Sequence, residues 1–575
     1  MAKLGDIFHY KLDEQGKGYL EVNAKGIALL QMTATNKSTA FTQEERLELG
    51  LEGLLPDRVT DIDNQSKREY TNYCRHTDDI AKYQYLRSLQ ERNEVLFYSV
   101  LENHLEEMMP IVYTPTVGKA VQQFSKLFRS PRGLILSSHN IDRVDDILDN
   151  HPWHDVRMIV VTDASAILGI GDQGAGGLAI CIGKLALYTS GGGLSPFHTL
   201  PVALDVGTDR EELLQDPNYL GVHQPRLRGD AYFELVDKFM AAVKRKWPKA
   251  VVQFEDFAKD VAFKVLDRYR EQGPCFNDDI QGTGAVVLSG LLSACRLKGE
   301  ELKDQRVVVV GAGAGGVGVA KVIQDGLVNA GLTREQARRQ MFVMDEFGLV
   351  VEGISPDAYK QPVMQFADTY SDWDIAGDIP SLMEVISNAK PTFMLGLTGC
   401  YGLFTEPLIR KMAEGCERPG IFPLSNPTSN CEAFPEDILK WTDGKALVST
   451  GSPFAPVDCN GVTHKIGQGN NAFVFPGIGF AAILGACHHI SDCMIIESAY
   501  ALADYTAEHY GDTGLIYPPI SDLKKVSLQV TIRVLKKARE DGSSLREELD
   551  EKDIASYVES RFWKAEYLPF VYSEK

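Results

Sequence analysis

No run of 18 apolar residues free of charge occurs anywhere in the chain, so no membrane-spanning helix is expected. The opening stretch, MAKLGDIFHYKLDEQGKG, has no apolar core of the kind a secretory leader needs. Positive charge is not in surplus either. The formal net charge is -20, which disfavours nucleic acid or an anionic membrane as a partner. A local cationic pocket, and so an anionic substrate, remains compatible with that exterior. The ten cysteines never fall in a CxxC spacing, which removes the commonest zinc and redox-disulfide patterns and points to a reducing, cytoplasmic compartment. Cys487, His488, His489 and Cys493 gather in what reads as one helix. Neighbours on a helix face different ways, so packing accounts for them better than a metal does. Repeats and low-complexity stretches are missing as well.

What is present is ordinary globular composition, 44% apolar and 24% charged over 575 residues, which is too long for one core. Residues 1–130 read as a helical N-terminal region. EERLELGLEGLL and the long run IAKYQYLRSLQERNEVLFYSVLENHLEEMM carry apolar residues three and four apart, the second stopping at Pro110. The rhythm then changes to short apolar strands separated by helices: DVRMIVVTD, LPVALDVG, AVVQFED and PCFNDD, with GDAYFELVDKFMAAVKRK and DFAKDVAFKVLDRYREQ among them. Strands alternating with helices imply parallel sheet. The fold class is α/β. A parallel-sheet catalytic domain is expected over 131–281 and is completed by the helical segment 470–540. A second, Rossmann-type α/β domain is expected over 282–469, and a charged tail over 541–575. The basic triplet Lys244, Arg245, Lys246 sits at a helix C-terminus, where cations are favoured.

QRVVVVGAGAGGVGVAKVIQDGLV is strand, glycine turn and helix. Gly311, Gly313 and Gly316 satisfy G-x-G-x-x-G in the context that gives the pattern meaning. Such a turn is tight, lets a pyrophosphate approach the backbone, and aims amide groups at it from a helix N-terminus. Asp345 ends the next strand, MFVMD, later than usual because VNAGLTREQARRQ intervenes. A carboxylate there suits a ribose diol and repels a 2′-phosphate. Glu346 follows it and no arginine adjoins, so NAD is expected over NADP.

VVQFED and PCFNDD end two buried strands in paired acids, Glu255 and Asp256, then Asp278 and Asp279. Ligands bind beyond the carboxyl ends of parallel strands. Acids gathered there would repel without a counter-ion, and a divalent cation held by oxygen, Mg²⁺ or Mn²⁺, resolves the conflict. The competing reading makes Asp256 and Asp279 helix N-caps. Lys184 lies inside the apolar helical run IGKLALYT. It either snorkels to solvent or serves as a general base whose pKa is depressed by desolvation or by a nearby cation. Tyr113, in IVYTPTVG, is a candidate proton donor. Asn426 and Asn471 follow apolar runs and could cap helices or bind a carboxylate.

These residues stand in a pattern that resembles the malic enzyme family, which includes the malolactic enzymes. NKSTAFTQEER, RNEVLFY, MPIVYTPTVG, ILGIGDQG, GKLALYT, LPVALDVGT, FEDF, FNDDIQGT, SNPTS and GQGNNAFVFPG carry the resemblance over nearly the whole length. It implies that Glu255, Asp256 and Asp279 ligate Mg²⁺ or Mn²⁺. Lys184 would be the base for the C2 hydroxyl, Tyr113 the acid that protonates C3 of the enol, and Asp278 the support for the lysine's proton transfers. Asn426 and Asn471 would hold substrate carboxylates or the nicotinamide side. L-malate and pyruvate are the implied substrate and product, with NAD as oxidant and a homodimer or homotetramer as the assembly.

The pattern breaks at residues 164–166, which read ASA. Many malic enzymes have Gly-Glu-Arg there, the arginine clamping a malate carboxylate. Ala166 cannot donate that bidentate pair. Malolactic enzymes also lack the arginine, which keeps conversion of malate to lactate as the alternative outcome. Against it stand YTPTVG and GDQG, where malolactic enzymes diverge. Arg129, Arg132 and Arg157 are nearby in the sequence.

Overall fold

The protein was studied as a computed structural model that describes residues 8–574 except 15, 152, 168 and 552. Residues 1–7, the start of the stretch read for a leader, and Leu168 of ILGIGDQG lie outside them. The chain divides into two bodies. The first comprises the described residues up to Ile167, Asp172–Val252 and those from Arg561 on. The second runs over Gln253–Ser560 and includes the short stretch ending at Gly171. The division falls inside a strand, after Val252, and not at the expected 281/282 boundary.

In the first body, two strands precede the helices: β1 (Phe8–Leu12) and β2 (Gly18–Val22) form an antiparallel pair. The C-terminal strand Phe570–Tyr572 adds in parallel to β2. Leu20, Val22, Leu29, Phe41 and Phe570 close a small core there. The long helical run expected to end at Pro110 is three helices, Asp79–Gln90, Glu94–Asn103 and Leu105–Val112, and Pro110 lies inside the last. The first break has a local cause: the Asn93 side chain accepts from the Leu96 amide at 3.0 Å and starts a new helix. The other early helix stops at Glu48, two residues before Gly50 at φ +67°.

β3 (Leu134–Ser137), β4 (Met158–Thr162), β5 (Thr199–Asp205) and the first half of β6 (Val251–Phe254) make the main sheet, in the order β3-β5-β4-β6. The β3–β5 and β4–β5 pairs are parallel. Every residue of β4 and β5 is buried, as expected for strands covered on both faces. The basic triplet ends helix Gly229–Lys246. Arg245 pairs with Asp145 at 2.7 Å and Lys246 with Asp149, so two of its three charges are used within the protein.

In the second body the rest of β6 runs beside β7 (Cys275–Asn277). A seven-stranded sheet follows from β8 (Val307–Val310), β9 (Met341–Asp345), β10 (Gly348–Leu349), β11 (Phe393–Gly396), β12 (Gly420–Pro423), β13 (Leu447–Thr450) and the short strand Gly467–Gln468. Their order is β10-β9-β8-β11-β12-β13 and then Gly467–Gln468. All pair in parallel except β10. The chain leaves β8 for β9 on one side and later crosses to β11 on the other. The carboxyl ends of β8 and β11 therefore form a topological switch point, the place where open α/β sheets bind ligands.

Among the described residues, one helical stretch, Asp278–Lys298, is long and apolar enough to cross a membrane, but 83% of its apolar window is buried inside the protein, which makes it a core helix. Cys487, His488 and His489 do not share a helix with Cys493. They lie in the link after helix Phe475–Leu484, and Cys493 is in the next helix, Asp492–Tyr510. Cys487 is buried and Cys493 exposed, so the group is not a common site.

Candidate active site

Lys184 sits in helix Leu178–Ser190, whose residues are buried almost throughout. At 1% exposure it does not snorkel to solvent. Its Nζ lies over the ring of Tyr113, 5.5 Å from the centroid. Tyr113 is itself buried, at the C-cap of helix Leu105–Val112, where its amide donates to the Met109 carbonyl at 2.9 Å. The residue between the two elements has to be small: a Cβ at Gly183 would stand 2.7 Å from the Val112 carbonyl oxygen. A buried amine over a buried aromatic ring is an arrangement that ordinary core packing does not produce cheaply.

In the second body Glu255, Asp256 and Asp279 each aim a carboxylate oxygen into one region, all within 4.8 Å of one another. Glu255 and Asp256 are 1% and 4% exposed. The helix-cap reading fails for both aspartates. The N-cap of helix Lys259–Tyr269 is Ala258. The turn Asp278–Gly282, a π-helical turn, is capped by Asn277, whose side chain accepts from Ile280 N at 3.0 Å. Asp256 instead adopts φ +57°, a left-handed conformation that costs free energy in a non-glycine residue and persists where the surroundings demand it. That twist turns its amide to donate to Asp279 Oδ2 at 2.7 Å. Gln253 Nε2 holds Glu255 Oε2 at 2.9 Å. Three convergent hard oxygen donors without a sulfur or imidazole suit Mg²⁺ or Mn²⁺ and do not suit zinc.

Asp278 points elsewhere. Its Oδ2 accepts from Asn471 Nδ2 at 3.0 Å, and the same amide donates to Thr283 Oγ1 at 2.9 Å. Asn471 is thereby placed against the acidic turn by its own hydrogen bonds. Asn426 follows β12 and accepts from the Ser452 hydroxyl, away from that contact.

The glycine turn lies at the switch point, between β8 and helix Ala314–Asn329. Gly311 has φ +114°, and a Cβ on it would meet the Leu397 carbonyl oxygen at 2.4 Å; on Gly316 it would meet the Gly311 carbonyl oxygen at 1.7 Å. A Cβ on Gly313 would meet no protein atom within 4 Å. Two of the glycines are thus required by packing, and Gly313 leaves the helix N-terminus open to an anion. Asp345 ends β9 as expected, but its Oδ2 pairs with Lys360 Nζ at 2.9 Å, and Lys360 also pairs with Asp357 at 2.8 Å. A ribose would meet a carboxylate already ion-paired.

Sequence reasoning missed three residues. Lys360 lies fifteen positions beyond Asp345, in the short 3-10 helix Ala358–Val363. Glu432, fully buried, accepts from Thr398 N at 2.9 Å, Thr398 Oγ1 at 2.8 Å and the Ser425 hydroxyl. It ties together the loops after β11 and β12, which border the switch point. Arg226 grips Asp172 of the GDQG turn through Nε at 2.8 Å and an Nη at 2.7 Å. Burial pushes the Asp172 carboxyl up, and the Arg226 hydrogen bonds and charge outweigh it, holding the group below the usual carboxylate range. Of the arginines near Ala166, Arg132 pairs with Glu94 and Arg157 with Asp155, while Arg129 donates to the carbonyls of Lys126 and Phe128.

The family model described as "Malic enzyme, N-terminal domain" matches residues 90–270, and the one described as "Malic enzyme, NAD binding domain" matches 280–539. The NAD-dependent malic enzyme of Acinetobacter baylyi is 46% identical over 544 residues, covering 94% of this chain and 96% of its own. That of Shewanella piezotolerans is 47% identical with the same coverage. Among solved structures, the Entamoeba histolytica malic enzyme aligns at TM-score 0.56 with 20% identity, covering 90% of this chain and 91% of that one. The Pyrococcus horikoshii malic enzyme aligns at 0.52 with 23% identity, covering 79% and 88%. At those identities the structures speak for the fold alone.

Proposed function

The chain belongs to the malic enzyme family, and from that premise we propose that it converts L-malate to pyruvate and CO₂ with formation of NADH, using NAD and Mg²⁺ or Mn²⁺. The observation that carries this reading is the convergence of Glu255, Asp256 and Asp279. These three would hold the ion. When bound, it supplies Lewis acidity toward the C2 oxygen and the adjoining carboxylate of malate. NAD supplies the hydride acceptor.

The chain's own residues then handle protons and position. Lys184 takes the proton of the C2 hydroxyl as hydride leaves C2. Its burial keeps bulk water from competing for that proton. In the oxidised substrate, the electron pair of the C3–C4 bond moves into the C2 carbonyl as CO₂ departs, and Lys184 returns its proton to that oxygen. Tyr113, its ring under the lysine, delivers a proton to C3 of the enol while Lys184 takes back the proton of the enol hydroxyl, and pyruvate results. Asp278, fixed by Asn471, supports the lysine's proton transfers. Asn426 and Asn471 bind the substrate carboxylate or the nicotinamide side. Gly311, Gly313, Gly316 and Asp345 seat the dinucleotide, with Lys360 orienting Asp345. A homodimer or homotetramer in the cytoplasm is part of the same reading.

The test supplies L-malate, NAD and Mn²⁺ to the purified protein and identifies the product. Pyruvate and free NADH in equal amounts are expected, abolished by exhaustive chelation and restored by Mn²⁺. Lactate without accumulating NADH would assign the malolactic reaction instead, the outcome that Ala166 keeps open. Turnover that persists without any divalent ion would remove the acidic cluster from the chemistry.

A further inference from the structure

A cavity of about 340 Å³ in the first body belongs to none of the groups above. It lies between helix Asp79–Gln90, the pair Thr116–Gln122 and Phe124–Leu127, and helix Leu178–Ser190, with Phe128–Arg132 along its rim. Arg87, Arg129 and Arg132 all line it. Arg87 pairs with Glu91 at 2.9 Å and Arg132 with Glu94. Arg129 donates to the carbonyls of Lys126 and Phe128 and, among the described residues, to no carboxylate. The wall therefore carries about one uncompensated positive charge, in a chain whose net charge is -20. The rest of the lining is largely apolar with polar groups among it. Tyr83, Phe124 and Phe128 supply rings, the last two edge to face at 5.8 Å, and Gln84, Ser88 and Ser130 supply hydrogen-bonding groups. A space of that size, mostly apolar with a few convergent polar groups, is what a small-molecule site requires.

The cavity also reaches toward the proton-transfer pair. A second, small void of about 10 Å³, room for about one water, shares Tyr83, Arg87 and Ile182 with it and is lined on its other side by Val112 and Gly183. Val112 and Gly183 are the chain neighbours of Tyr113 and Lys184. Leu178, Ala179 and Ile182 on the cavity wall belong to the same helix as Lys184. A ligand that wedges this helix against helix Asp79–Gln90 changes the packing under the lysine.

We propose that this cavity is a regulatory site for a small organic anion, a flat ring bearing one carboxylate or phosphate, with Arg129 taking the anionic group and Phe124 and Phe128 the ring. Occupancy changes turnover by resetting the helix that carries Lys184. The coupling rests on the proposed role of Lys184; the site itself does not.

Calorimetric titration with phenyl phosphate and with benzoate tests it, using full-length protein saturated with Mn²⁺ and NADH so that the candidate active site is already filled. The expected result is one saturable site per chain for at least one of the two probes, the tighter one naming the anionic group. Inorganic phosphate and phenol should each bind at least about tenfold more weakly, since each offers half of the recognition. Arg129→Gln and Ser130→Glu, both on the accessible rim, should each weaken the probe about tenfold or more while leaving kcat without it unchanged. The saturating probe should shift kcat with malate at least about twofold, a shift that Arg129→Gln removes. Absence of saturable binding, or binding equally tight in both variants, overturns the site. Tight binding with unchanged kcat overturns the coupling. Failure of NADH to bind at the start would count against the proposed reaction and not against the cavity.

Discussion

Lys184 is the residue with the least ordinary surroundings in the first body. A lysine at 1% exposure in an apolar helix is expensive to bury, and its Nζ lies 5.5 Å from the centre of the Tyr113 ring. Lys184→Ala should lower kcat by about 10²-fold or more, the range for a lost acid–base group, while KM for malate changes far less. Steady-state kinetics across pH checks it, and unchanged kcat would remove Lys184 from proton transfer. The sequence exposed this residue because a charge inside an apolar run is conspicuous. It did not expose Lys360, an ordinary lysine in the sequence, whose amine is brought within 2.9 Å of Asp345 only because the 3-10 helix Ala358–Val363 folds back against the end of β9. Asp345 ends β9 with its charge partly offset by that amine.

At the scale of elements, the candidate dinucleotide site depends on loops as much as on strands. β8 and β11 supply the switch point, but the loops after β11 and β12 are held by one buried carboxylate, Glu432, through Thr398 and Ser425. Removing that acceptor leaves partly buried donors without a partner, at about 1 kcal/mol or more. Glu432→Ala should raise KM for NAD about tenfold with a smaller effect on kcat and little on KM for malate, and Glu432→Gln, which keeps an acceptor, should recover most of the loss. Equal losses in both variants, or a fall in kcat alone, would argue for general destabilisation. The strands themselves were legible. Runs such as VVVV and MFVMD became β8 and β9 because fully buried parallel strands need unbroken apolar sequence. Helix ends were less legible. The break at Asn93 competes with an uninterrupted apolar periodicity, and the cap wins locally.

At the scale of the whole molecule, the two chain ends meet. Phe570–Tyr572 joins β2, Phe570 N donates to Glu45 Oε1 at 3.0 Å, and Glu45 pairs with the buried Lys37 at 2.6 Å. Trp563 N and Tyr567 OH anchor the same tail, at 2.8 Å each, to the Gly193 carbonyl and to Gln65. Deleting residues 561–575 removes the buried Phe570 ring, worth about 3–5 kcal/mol by itself. It also leaves the Lys37–Glu45 pair partly bared. The truncated protein should melt at least about 5 °C lower than the full chain by calorimetry. An unchanged melting temperature would show the tail to be an ornament on an independent core. The charged tail read from the sequence is therefore, in part, a strand of the first body.

By itself the sequence determined the class of the fold, the position of most strands, the glycine turn and the residue types of the metal site, because burial and periodicity leave their mark on consecutive residues. Tertiary structure alone decided that Asp256 and Asp279 are ligand candidates and not helix caps. A cap is defined by which amide a carboxylate meets, and Asp256 reaches Asp279 only through a left-handed turn and a strand pairing. It also decided the partners of Asp345, the fastening of two loops by Glu432 and the existence of an arginine-lined cavity. Each of these is a meeting of residues far apart along the chain, and such distances are set by packing, which no local pattern records.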